Sequence, residues 1–92
     1  MNYSGYIIVA WYKGVPYFVQ QRKVINWYFY NNSVKVYKRI ANAIAYAKQI
    51  KQKYAAETVK VYGINELYKV YPDNIRRWEK EETERILFST DD

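Results

Sequence analysis

An α+β fold is predicted for this 92-residue chain: an antiparallel sheet of five to six strands built from hairpins, one long helix (about 38–55) on one face, and an acidic C-terminal helix. Three observations predict it. β-branched and aromatic runs in the first third are broken by two-residue turn signals. The apolar period then switches to that of a helix. Strand character returns after residue 58 and gives way to a charged stretch with helical spacing.

Tyr6–Tyr12 and Val15–Gln21 are separated by Lys13-Gly14, the signature of a two-residue hairpin turn. That register sets Tyr12 opposite Val15, Trp11 opposite Pro16, Ala10 opposite Tyr17, Val9 opposite Phe18 and Ile8 opposite Val19. The first strand is apolar on both faces and is therefore expected at the centre of the sheet. Pro16 has no amide hydrogen, which places the second strand toward an edge. After Gln21-Arg22-Lys23, a second hairpin fits Val24–Tyr30 and Ser33–Tyr37 around Asn31-Asn32. It sorts Ile25, Trp27, Phe29, Val34 and Val36 to a core face, and Asn26, Tyr28, Tyr30, Lys35 and Tyr37 to the surface.

From about Lys38 to Ala55, Ile40, Ala43, Ile44, Ala47, Ile50 and Tyr54 recur at three- and four-residue steps, the stripe of a helix lying on a sheet. Its other positions, among them Lys38, Asn42, Tyr46, Lys48, Gln49, Gln52 and Lys53, form a basic outer face without an acid. Thr58–Tyr62 and Leu67–Tyr71 read as a third hairpin. Asp73 is placed to cap a last helix from about Asn74, with Ile75, Trp78, Ile86 and Leu87 inward and Glu79, Glu81, Glu82 and Glu84 toward solvent. A competing reading makes Arg85–Ser89 a short strand. Ser89–Asp92 is expected to fray.

Apolar residues make up 50% of the chain and aromatics 20%, enough to fill one core in a single domain over residues 1–92. There is no Cys and no His. The disulfide framework, the thiolate metal site, the commonest metal ligand and the commonest general base are thereby excluded. The apolar run Tyr6–Tyr12 is about a third of the roughly 20 residues that a spanning helix needs. Met1-Asn2-Tyr3-Ser4-Gly5 lacks the basic start and cleavage site of a signal peptide. No membrane partner and a cytoplasmic location are expected. Tyr, Lys, Ile and Asn are frequent and have A/T-rich codons, a bias common in small products of phages, viruses and mobile elements of low-GC hosts; cytoplasmic then means the host cell.

The net charge of +6 is unevenly distributed. Residues 1–60 hold ten Lys/Arg and one acid, whereas residues 61–92 hold five Lys/Arg and eight acids. Such a field draws polyanions or an acidic protein face to one side of the molecule.

Catalysis finds little support. Ser4, Ser33 and Ser89 have no His to activate them, the three glycines are too scattered for a phosphate loop, and seven of the nine acids fall in the last 20 residues. Gly5-Tyr6-Ile7 and Tyr17-Phe18-Val19 loosely resemble the paired strands of GIY-YIG endonucleases. The second motif lacks its Gly, and Trp27-Tyr28-Phe29-Tyr30 reads as strand where that family has a helix bearing a catalytic Arg. An ordinary aromatic hairpin is the preferred reading, with a nuclease remnant as a minor alternative. The layout of residues 5–55, running through Lys35-Val36-Tyr37-Lys38-Arg39-Ile40 into the helix, is similar to the DNA-binding arm domains of phage-type integrases, which read DNA with a sheet. The segments after residue 58 lie outside that plan.

The expected function is therefore non-enzymatic binding, with no catalytic residue, metal or cofactor. Arg22, Lys23, Lys35, Lys38 and Arg39 would hold phosphates, while Tyr28, Tyr30 and Tyr37, beside Asn26, would stack on bases. The partner is nucleic acid or an acidic or nucleoprotein host component. The alternative is a small phage- or virus-type inhibitor that uses the same tyrosines as anchors on a host protein, for example one of defence or replication. A homodimer is compatible with either.

Overall fold

A computed structural model describes residues 3–20, 34–65 and 70–91, and the backbone of 25–26. Its elements are β1 (Gly5–Tyr12), β2 (Val15–Val19), β3 (Ile25–Asn26), α1 (Ile40–Tyr54), β4 (Thr58–Ile64), α2 (Pro72–Glu81) and β5 (Ile86–Ser89), with a 3-10 turn at Thr83–Arg85. The class is α+β. The body of the antiparallel sheet is four strands, to which β3 adds two residues at one edge, in the order β3-β2-β1-β4-β5.

The first hairpin forms in the predicted register, with Val9 opposite Phe18, Ala10 opposite Tyr17, Trp11 opposite Pro16 and Tyr12 opposite Val15. Lys13 and Gly14 have φ of 51° and 78°, the paired positive values of a type I′ turn. The Lys13 amide donates to Glu57 Oε1 at 2.6 Å, which ties the turn to the start of β4. β1 is central, as its two apolar faces require, and pairs with β4 from Gly5 opposite Ile64 to Trp11 opposite Thr58. β2 lies one place in from the β3 edge. β3 meets it only at Phe18 and Val19, beyond Pro16.

Alternation along the strands divides the core in two. Ile8, Ala10, Val19, Val59 and Val61 pack with Ala43, Ala47 and Ile50 of α1. Ile7, Val9, Phe18, Tyr62 and Ile64 pack with Ile75 and Trp78 of α2. The two helices therefore cover opposite faces, and α2 lies over a face of the sheet rather than at its edge. Small Ala43 and Ala47 let α1 approach closely, and each large side chain fully buried on either face stabilises by about 1.5–3 kcal/mol.

The C-terminal third departs from several expectations. α2 starts at Pro72 with Tyr71 as its N-cap residue, and the Tyr71 amide donates to Asn74 Oδ1 at 2.8 Å. Pro72 at the first helical position has no amide to satisfy and a preset φ, so the helix begins earlier than Asp73 could cap it. α2 is not acidic, because Arg76, Arg77 and Lys80 balance Asp73, Glu79 and Glu81. Nor is it terminal. The chain turns back through Thr83–Arg85, and Ile86 and Leu87 lie on β5, as the strand reading of this segment had it.

β5 takes the side of β4 away from β1, pairing Lys60 with Ser89 and Val61 with Phe88. Lys60–Tyr62 of β4 are thus paired on both sides; the return strand expected at 67–71 falls mostly on residues that are not described. Residues 66–69 lie outside the described residues. The end of the chain is tied down rather than frayed as far as Asp91. Ser89 is buried, the Thr90 amide donates to the Val59 carbonyl at 3.0 Å, and the Thr58 hydroxyl donates to Asp91 Oδ2 at 2.6 Å.

Most of the second hairpin also lies outside the described residues. What is described of its return strand bridges to the first two strands. Val34 bridges Gln20, and the amides and carbonyls of Tyr37 and Tyr6 exchange hydrogen bonds of 2.8 Å. A Cβ on Gly5 would lie 2.6 Å from Val36 Cγ1, so the bare glycine lets this segment run beside β1. Among the described residues, no helix is long and apolar enough to cross a membrane.

Candidate functional site

Between the 35–38 segment and the flank of α1 lies an open groove of about 560 Å³. Lys35, Tyr37 and Lys38 form one wall, Asn42, Tyr46 and Gln49 the other, with Val36 and Ala45 between them. The Tyr6–Tyr37 bridge fixes the first wall against the start of β1. The second wall exists because α1 turns Ala43, Ala47 and Ile50 inward, which directs Asn42, Tyr46 and Gln49 sideways.

The groove is basic and aromatic, and none of its lining residues is an acid. The Tyr37 and Tyr46 rings are tilted by 34° with centroids 6.3 Å apart, and the Lys35 ammonium sits 5.4 Å from the Tyr37 centroid. A cation over a ring face is favourable by about 0.5–1 kcal/mol at an exposed site and keeps the charge at the surface. Burial, and then the neighbouring Tyr46, push the Tyr37 phenol up to about 12. Burial, with a smaller contribution from Tyr54, also raises Tyr46. Both hydroxyls are therefore neutral at physiological pH, where they serve as hydrogen-bonding groups and flat apolar rings rather than anions.

Positive charge continues along the same side. Between residues 34 and 56 there are six Lys/Arg and no acid. Lys48 lies 5.8 Å from the Phe88 ring at a second groove, of about 470 Å³, formed with Gln52, Ser89 and Thr90. Lys53 lies 5.4 Å from the Tyr54 ring. Lys51 is used differently. Its ammonium donates to the Ala56 and Glu57 carbonyls at 2.9 and 2.5 Å, closing the C-terminus of α1 where the helix dipole favours a cation.

The described acids lie elsewhere, and Glu57, Glu79, Glu82 and Asp91 are hydrogen-bonded. Glu79 was expected in solvent. Instead it accepts from Lys60 at 2.9 Å and from the Tyr62 hydroxyl at 2.5 Å on the α2 side of the sheet. Burial first, then the Glu79 hydrogen bond and charge, raise Tyr62 well above the ordinary phenol range. Glu82 accepts from Arg85 Nε at 2.7 Å, while the Arg85 guanidinium covers the Trp78 ring at 4.5 Å. A small cleft of about 220 Å³ brings Glu57, Glu79 and Asp91 near Trp11 and Lys60. Each of its carboxylates already accepts a hydrogen bond. Among the described residues, no group of three potential ligands is placed to hold a metal.

Of the residues singled out from sequence, the structure brings Lys35, Tyr37 and Lys38 together in the groove. Arg39 is exposed and takes the N-cap position of α1. Arg22, Lys23, Tyr28, Tyr30 and the side chain of Asn26 lie outside the described residues. Sequence reasoning placed Asn42, Tyr46 and Gln49 on the outer helix face without assigning them to the site. Their i, i+4, i+7 spacing is the signal that could have found them. No family model matches the chain, and no significant match to a curated protein or to a solved structure was found.

Proposed function

We propose that this chain is a stoichiometric nucleic-acid-binding protein that holds its ligand against the α1 side of the sheet. One observation carries this reading: six bases without an acid between residues 34 and 56, two of them lining a groove with a tyrosine ring in each wall. Cations neutralise phosphates and release counterions, and flat rings offer stacking area, so the combination suits a nucleic acid better than a small anion. Arg22, Lys23, Asn26, Tyr28 and Tyr30 extend the proposed surface at the level of sequence. A phage, virus or mobile-element origin, with action in the host cytoplasm, fits the composition.

The test is a fluorescence-anisotropy titration of labelled DNA and RNA at two salt concentrations. Affinity should fall steeply with salt. Lys35→Glu with Lys38→Glu should abolish binding, whereas Arg76→Glu with Lys80→Glu on α2 should leave it intact. Absence of binding at low salt, or equal loss from the two pairs, would overturn the reading and turn the search to a host protein.

A further inference from the structure

We infer that the groove takes single-stranded nucleic acid, seating one base against Tyr37 and Tyr46, and that duplex is a poor ligand. The inference rests on the nucleic-acid reading above and adds the form of the strand. The site is concave, and its rings line the same hollow as its cations. In a duplex the base faces are hidden in the stack, so only the lysines would find partners and the rings and carboxamides would be idle. A single strand presents a ring face, a base edge and a phosphate together, which are the three chemistries that Tyr46, Asn42 with Gln49, and Lys35 with Lys38 offer. The volume of about 560 Å³ falls in the range of small-molecule sites, enough for one planar base with its sugar.

The helix supplies a direction. Asn42, Tyr46, Gln49 and Lys53 stand at i, i+4, i+7 and i+11 on α1, a row about 16 Å long at 1.5 Å per residue. A strand that leaves the groove along this row passes the carboxamides and reaches Lys53, with no acid on α1 to repel it. The acids of α2 and the turn after it belong to the other face of the sheet and do not screen this path.

The experiment measures anisotropy of the full chain with labelled oligodeoxythymidine and oligodeoxyadenosine of about ten nucleotides, and with the matching duplex, at one salt concentration. The single strands should bind at least about tenfold more tightly than the duplex. Tyr46→Leu keeps apolar bulk against the core and should weaken the single strand about five- to a hundredfold without changing the salt slope. Lys38→Gln should instead lower that slope by about 0.7. Asn42→Ala, at an exposed position, should cost a few-fold and keeps the test decisive if Tyr46→Leu melts early by circular dichroism. Duplex binding as tight as single-strand binding, or full affinity in both Tyr46→Leu and Asn42→Ala, would overturn the inference and leave the nucleic-acid reading standing. Failure of every oligonucleotide to bind would overturn both.

Discussion

On the α2 side of the sheet, Lys60 is paired with Glu79, Arg85 with Glu82, and the Tyr62 hydroxyl with Glu79. On the α1 side, Lys35, Lys48 and Lys53 rest over aromatic rings, and none of them forms an ion pair among the described residues. The same residue types therefore do different work on the two faces. Where a carboxylate can reach, charge is consumed in anchoring a helix to the sheet. Where none can reach, lysine stems cover the rings and their ammoniums stay in water, available to a polyanion. The acid-free stretch of sequence thus contributes, in three dimensions, Lys35, Lys48 and Lys53 without an ion-pair partner among the described residues.

That contrast can be broken most strongly through Trp78, which packs on Tyr62 and carries Arg85. Trp78→Ala should cost about 3–5 kcal/mol in urea denaturation, while the folded fraction keeps its nucleic-acid affinity. An equal loss of affinity would show that the two faces are coupled. Glu79→Ala should cost about 1.5–3 kcal/mol, because it strips a charged acceptor from the Tyr62 hydroxyl and leaves Lys60 unpaired. Thermal melts would check it, and a loss below 0.5 kcal/mol, the size expected of a substitution in a solvated surface pair, would mean that Glu79 behaves as one.

The α1 side is sharpened by pH. The Tyr37 phenol is raised from 10.0 to about 12 in the folded state, so the folded chain holds that proton longer than the unfolded one. Its contribution to stability is complete below pH 10 and lost as pH rises from about 10 to about 12. Tyr37→Phe should flatten that part of the alkaline denaturation curve and remove a late-titrating component from the tyrosinate absorbance. An unchanged titration would place Tyr37 in solvent. The smallest effect belongs to Lys53→Gln, which should leave stability within about 0.5 kcal/mol while weakening binding and its salt slope. A larger loss of stability would show that its contact with Tyr54 is structural.

Local pattern made some elements legible from sequence and left others hidden. The first hairpin was readable to the residue because Lys13-Gly14 fixes the turn and the turn fixes the register. α1 was readable because its apolar stripe is long and regular. The partner of β4 was not, because two segments with strand character, 67–71 and 86–89, competed for it. The side-chain pattern of a strand carries no address for its neighbour. Glu79 was misplaced for a related reason. An acid amid Glu81, Glu82 and Glu84 reads as solvated until Tyr62 and Lys60 are known to lie beneath it. Half of the candidate site was nameable, since Lys35, Tyr37 and Lys38 are adjacent in sequence; the wall opposite depended on how α1 is rotated on the sheet.

The α+β class, the central position of β1, the span of α1 and the charge asymmetry follow from composition, period and turn chemistry, which are local properties of the chain. Tertiary structure alone decided that two helices cover opposite faces, that β5 completes the sheet, and that Tyr46 faces Tyr37 across a groove. These are choices among long-range pairings, which are settled by the joint burial of surfaces far apart in the chain and by which polar groups find partners when they meet.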